Sequence, residues 1–133
     1  MNERGYGMAV STSLSPDEAE AHIRAELEAE GFGVLTEIDL AATLKEKVGV
    51  ERGPYKILGA CNPNLAARAV EAEEDIGLLL PCNVVVYQSG DRTVVAAMEP
   101  QTIVQLTSNP ELEDIAKEAR QRLDRALSAL PQE

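Results

Sequence analysis

The chain has 133 residues, with 23 acidic and 12 basic side chains, a formal net charge of −11. Such a surface repels phosphate backbones and anionic lipid headgroups, and no basic run offsets it, so neither nucleic acid nor a membrane is an expected partner. Three Tyr, one Phe and no Trp leave a core of Leu, Ile, Val and Ala, with few aromatic faces for stacking bases or sugars.

The length suits one domain spanning 1–133, with a core from about 6 to 130. Met1-Asn2-Glu3-Arg4-Gly5 has no basic cluster leading into an apolar stretch, and no apolar run reaches the ~20 residues of a membrane span. The expected compartment is the cytosol, where two cysteines are expected as free thiols rather than a structural disulfide.

In chain order, Tyr6 to Ser13 predicts a first strand. Ser15-Pro16-Asp17-Glu18 then opens a helix: Ser15 caps, Pro16 takes the first position, and two acids favour the positive dipole end. Ala19, Ile23 and Leu27 give that helix its buried stripe, and Gly31 stops it. His22, the single histidine, is expected at the edge of the stripe, with no second His to share a metal.

Phe32 to Ile38 predicts a strand with Val34, Thr36 and Ile38 on one face. Leu40, Leu44 and Val48 mark a short helix closed by Gly49, and Lys45, Glu46 and Lys47 read as its solvated face. After the Gly53-Pro54 turn, Tyr55 to Cys61 forms a further strand, and Asn62-Pro63 caps the next helix. Ile76 to Leu80 leads through Pro81 into Val84 to Tyr87, a run apolar on both faces that suits a central strand. Ser89-Gly90-Asp91 turns it into Thr93 to Met98. Thr102 to Leu106 predicts a helical turn. Asn109-Pro110-Glu111 opens a last helix, whose Leu112, Ile115, Ala119, Leu123, Ala126, Leu127 and Leu130 keep the clearest helical period of the chain. The order β-α-β-(α)-β-α-β-β-α predicts an α+β fold, a mainly antiparallel sheet with helices on one face.

Chemistry is expected at two Cys-Asn dipeptides. Cys61-Asn62-Pro63 stands where a strand meets a helix N-terminus, whose free N–H groups and dipole favour a thiolate. Cys82-Asn83 opens the central strand. If those strands are neighbours, two thiols and two amides converge at one sheet end. Asn62 is explained by capping alone, and either thiol by packing as a small apolar group. Asn83 has no such explanation. Glu37 and Asp39 share one side of a strand, and Glu37 is a candidate proton acceptor if it faces a thiol. No CxxC or HxxxH pair supports a zinc site, so no metal is assigned. No phosphate-binding loop, HExxH or GxSxG motif is present.

Four runs, taken together, resemble a known family: 31–39 (GFGVLTEID), 42–49 (ATLKEKVG), 55–63 (YKILGACNP) and 76–86 (IGLLLPCNVVV). In this order and spacing they are similar to the bacterial and archaeal domain of unknown function 302, from about Tyr6 to Leu130. The resemblance implies a TATA-box-binding-protein-like α+β architecture, a curved antiparallel sheet crossed by a long helix, often paired as a homodimer. It carries no settled activity or cofactor. Its recurrent Cys-Asn-Pro and Leu-Pro-Cys-Asn segments are intact here, whereas the acid charge is opposite to that of a DNA-binding sheet.

Three functions stay open. One is a small-molecule or soft-ion binding module with a site formed by Cys61, Asn62, Cys82, Asn83 and Glu37. The second is a thiol-dependent redox or transfer enzyme using Cys61 and Cys82. The third is a structural or interaction protein without a ligand.

Overall fold

The computed structural model describes residues 5–132, together with the short strand Asn2–Glu3. The elements run β1 (Asn2–Glu3), β2 (Gly7–Thr12), α1 (Pro16–Ala29), β3 (Gly33–Asp39), α2 (Leu40–Val48), β4 (Tyr55–Cys61) and α3 (Pro63–Ala72). They continue as β5 (Cys82–Ser89), β6 (Arg92–Met98), α4 (Gln101–Thr107) and α5 (Glu113–Ser128), with short 3-10 segments at Glu74–Leu79 and Pro110–Leu112.

The predicted caps Ser15 and Asn62 form, and Asp39 supplies a further one. Ser15 accepts the N–H of Glu18 while the Glu18 carboxylate accepts that of Ser15, a reciprocal capping box. Asn62 and Asp39 cap α3 and α2 by accepting from Leu65 and Ala42. Gly31 and Gly49 hold positive φ of 85° and 70° just beyond α1 and α2, where a residue with a β-carbon would be strained.

All strand pairs are antiparallel in one open sheet of order β1-β2-β6-β5-β4-β3. The inner face carries Leu58 opposite Val84, Val84 opposite Ala97 and Ala97 opposite Met8. These pack with Ile23 and Leu27 of α1 and Leu123 and Leu127 of α5 into the main core. A second, smaller apolar cluster joins Ala69 of α3, Ile76, Ile103 of α4 and Leu112. Across the outer face runs another continuous row, Ile38–Ile57–Val85–Ala96–Ala9.

Two expectations change. The run at Ile76–Leu80 is a 3-10 turn that leaves Leu78 86% exposed, and the strand starts only at Cys82. Pro81 offers no N–H to a ladder, so the run before it closes on itself locally. In β3 the pairing slips between Val34 and Thr36. Val34 therefore packs against the inner core, while Thr36 and Ile38 lie in the outer rows with Gly59 and Ile57. An extra residue in one strand moves every later side chain to the other face.

Candidate functional site

β4 and β5 are adjacent, and Ala60 stands directly opposite Cys82. Cys61 is thus one residue along from the partner of Cys82, at the sheet end where β4 turns into α3. From a strand spacing of about 4.8 Å and a rise of about 3.3 Å, their α-carbons lie roughly 6 Å apart. Both cysteines are free thiols lining one cavity of about 60 Å³. Cys82 is buried at 8% exposure, and Cys61 is half-buried.

The cavity fills the gap between the sheet end and the second apolar cluster. Its walls are Leu65, Ala66 and Ala69 of α3, Ile76 beyond it, Pro100 and Ile103 at α4, and Ile115, Ala116 and Ala119 of α5. The space exists because the facing helix stripes are alanine-rich. Ala66 and Ala69 on one side and Ala116 and Ala119 on the other are too short to meet. An apolar space of this size is smaller than the ~150 Å³ that accepts a benzene ring in an engineered core, so a guest taken without rearrangement has only a few heavy atoms.

Asn62 is the amide on this wall. Its side-chain oxygen accepts from Leu65 N at 3.2 Å, and its Nδ2 donates to the main-chain oxygen of Glu30 at 3.5 Å. The same Glu30 oxygen accepts from Arg122 Nη1 at 3.1 Å. Asn62 therefore joins the end of α1, the start of α3 and, through Glu30, α5. Its polar atoms are engaged structurally. The two thiols, by contrast, have no hydrogen-bond partner among the described residues.

Burial pushes the Cys82 thiol up from 9.0 to about 11, with a smaller contribution from the neighbouring Cys61. Cys82 is a neutral thiol near neutral pH.

Two residues expected at this point lie elsewhere. Asn83 is exposed on the outer face, opposite Gly59, because successive strand side chains alternate and Cys82 takes the inner position. Glu37 stands opposite Leu58, three residues along β4 from Cys61, or roughly 10 Å at the strand rise. It pairs there with Arg24 and, at 3.5 Å, with Lys56. Glu20 completes this ion cluster, 3.0 Å from Lys56 and 2.9 Å from Arg24. Partial burial opposes its charge, but Lys56 and Arg24 outweigh that and hold its carboxyl below the usual range. Cys61, Asn62 and Cys82 border one cavity at this sheet end, and Asn83 and Glu37 do not join them.

Gly59 and Pro81 were not singled out by the sequence. The proline ring covers Gly59 beside the cavity: a β-carbon on Gly59 would meet Pro81 Cγ at 2.8 Å and would collide with Thr36 Oγ1. Among the described residues no three His, Cys, Asp or Glu side chains cluster as metal ligands, and no helix is long and apolar enough to cross a membrane.

No curated protein matches the chain. A crystal structure of an uncharacterized conserved DUF302 protein from Bacillus stearothermophilus is similar at 32% identity and a TM-score of 0.88, covering 94% of this chain and 98% of that one. The family model described as domain of unknown function DUF302 matches residues 8–130, and the chain belongs to that family.

Proposed function

We propose that the protein is a binding module that takes a small, mainly apolar guest into the cavity between the sheet end, α3 and α5. The observation that carries this reading is the cavity itself, an apolar space of about 60 Å³ walled by alanines and bordered by Cys61 and Cys82. Packed interiors rarely leave such space, since each void forfeits dispersion contacts. A thiol enzyme resolved through Cys82 has less support, because a thiol raised to about 11 is a poor nucleophile near neutral pH. Two free cysteines suit a reducing cytosol, and the net charge of −11 argues against nucleic acid as a partner.

Xenon provides the direct test, as a probe that enters dry apolar cavities. Amide shifts should concentrate at Ala60, Leu65, Ala69 and Ala116 under xenon pressure and vanish in Ala119→Leu, which fills the space. Shifts scattered over the surface, or unchanged by that substitution, would sink the proposal.

A second reading concerns partners. The helices of the main core cover one sheet face, whereas the outer row from Ile38 to Ala9 is apolar across five strands, with Ile38 48% exposed. An antiparallel sheet facing only water normally alternates polar residues there. We propose that a second copy of the chain covers this face. Sedimentation should show a dimer for the wild type and a monomer for Val85→Lys; a monomeric wild type removes the idea.

A further inference from the structure

Neighbouring rows on the outer face of the sheet carry no charge, in a chain where 26% of residues are charged. The row from Ile38 to Ala9 is flanked by Gly59 and Asn83 on one side. On the other stand Tyr55, Tyr87, Val94 and Ser11, with the two tyrosine rings stacked at 5.2 Å. Depletion of charge together with tyrosine is the composition of an interface core. The charge balance also selects the occupant. A cationic partner would be drawn to the acidic surfaces of the chain, whereas a copy with the same −11 approaches most easily on a face without charge.

The edge of this face is an arm that the rest of the chain leaves uncovered. β3 is an edge strand in which every residue except Val34 is exposed, and the nine residues of α2 include no buried side chain. Four of the eight exposed large hydrophobic side chains among the described residues, Leu35, Ile38, Val48 and Val50, fall in this arm. Leu44 and Val48 are four residues apart on α2, and the Val50 N–H donates to the Leu44 oxygen at 3.3 Å, which ties Val50 to the same helix end. A helix this short is marginal in water unless it buries an apolar face. Val48 is 65% exposed, so that face is unmatched within one chain.

We infer that the β3–α2 arm docks on a second copy of the chain, with Val48 and Val50 as its contacts, and that this docking holds α2 helical. The inference rests on the reading that a second copy covers the outer face, and it adds the element that anchors the pair. Ile38 connects the two, since it belongs both to the outer row and to the arm. Lys45 and Lys47 against Glu46 give α2 a net positive charge, which suits an acidic partner. Arg52 follows it, with its guanidinium 4.9 Å from the Tyr55 ring centroid, and adds a further positive charge beside the neutral face.

The test combines sedimentation with hydrogen exchange read by mass spectrometry. It compares the wild type, Val85→Lys, the double variant Val48→Ser/Val50→Ser, and Val70→Ser as a control at an exposed valine of α3. Serine and valine have similar helix propensity, so the double variant removes contact and leaves helix preference alone. It should associate at least tenfold more weakly than the wild type, with the control unchanged. Amides of residues 44–49 should exchange at least tenfold more slowly in the dimer than in wild type diluted to monomer, with α1 and α5 unchanged. Dilution needs no substitution, so this comparison stands even where a variant misfolds. Equal α2 exchange in the two states, or a double variant that associates as the wild type does, overturns the inference. If Val85→Lys prevents association under either of those outcomes, the sheet-face reading stands and the arm falls. If the double variant weakens association and Val85→Lys does not, the arm stands and the sheet-face reading falls. A wild type that stays monomeric at every concentration removes both.

Discussion

Pro81 stands against Gly59, so close that its Cγ would lie 2.8 Å from a β-carbon at that position. The proline can reach this place only because residue 59 has no side chain, and Thr36 occupies the rest of the gap. Gly59→Ala should therefore destabilise the protein by about 1–3 kcal/mol, since the Thr36 hydroxyl can rotate but the proline ring cannot shorten. Urea midpoints measure this, and an unchanged midpoint would show that the rim relaxes freely.

Asn62 separates into two roles by substitution. Asn62→Ala removes the α3 cap and should cost about 1 kcal/mol. Asn62→Asp keeps the acceptor for Leu65 N–H but loses the donor to Glu30, placing a carboxylate against a carbonyl oxygen. The aspartate variant should be no more stable than the alanine one. If it matches the wild type, the bond to Glu30 contributes nothing.

The two cysteines should alkylate differently. The thiolate is the attacking species, and a shift of the Cys82 thiol from 9.0 to about 11 lowers its thiolate fraction about 100-fold at mildly basic pH. Iodoacetamide should label Cys61 first in the native protein and reach Cys82 at a comparable rate only in denaturant. Peptide mass mapping reads both sites; equal native rates would contradict the burial of Cys82.

Acid should release the clamp at Glu30. Its carboxylate accepts from Arg125, at 2.9 Å from Nη2, and that guanidinium chiefly holds the carboxyl below its ordinary 4.5. A lowered folded value gives stability that is present above 4.5 and lost as pH falls through the folded value. Glu30→Gln should therefore be less stable than wild type near neutral pH, by less than about 1 kcal/mol for this exposed pair, and equal to it in strong acid. A gap that persists in acid would place the effect elsewhere.

Local chemistry was legible residue by residue. Ser15, Asn62, Gly49 and the turn at Gly90 announce themselves because caps and turns are decided within a few positions of the chain. That the strands carrying Cys61 and Cys82 would be neighbours was readable from the sequence, and the register pairs β4 with β5. What was hidden depends on placement across the fold. The slip at Val34/Thr36 sets which face each β3 residue occupies, and no composition signals it. Asn83 looked like a second amide for the thiols until strand alternation turned it outward. The cavity had one signal, the alanines of α3 and α5, but an alanine stripe reads as close packing until both helices are in position.

The strand order has a consequence for how the chain is made. β3, β4, β5 and β6 lie side by side in the order in which they leave the ribosome, so each finds its neighbour already present. β2 is different, for it pairs with β6, and Thr93 reaches back to the carbonyl of Leu14 across 79 positions. The first long strand to be synthesised is thus without its β6 partner until most of the chain has emerged. Any nascent fragment ending before Arg92 carries β2 with an open edge, the segment on which a chaperone or a premature aggregate would act first.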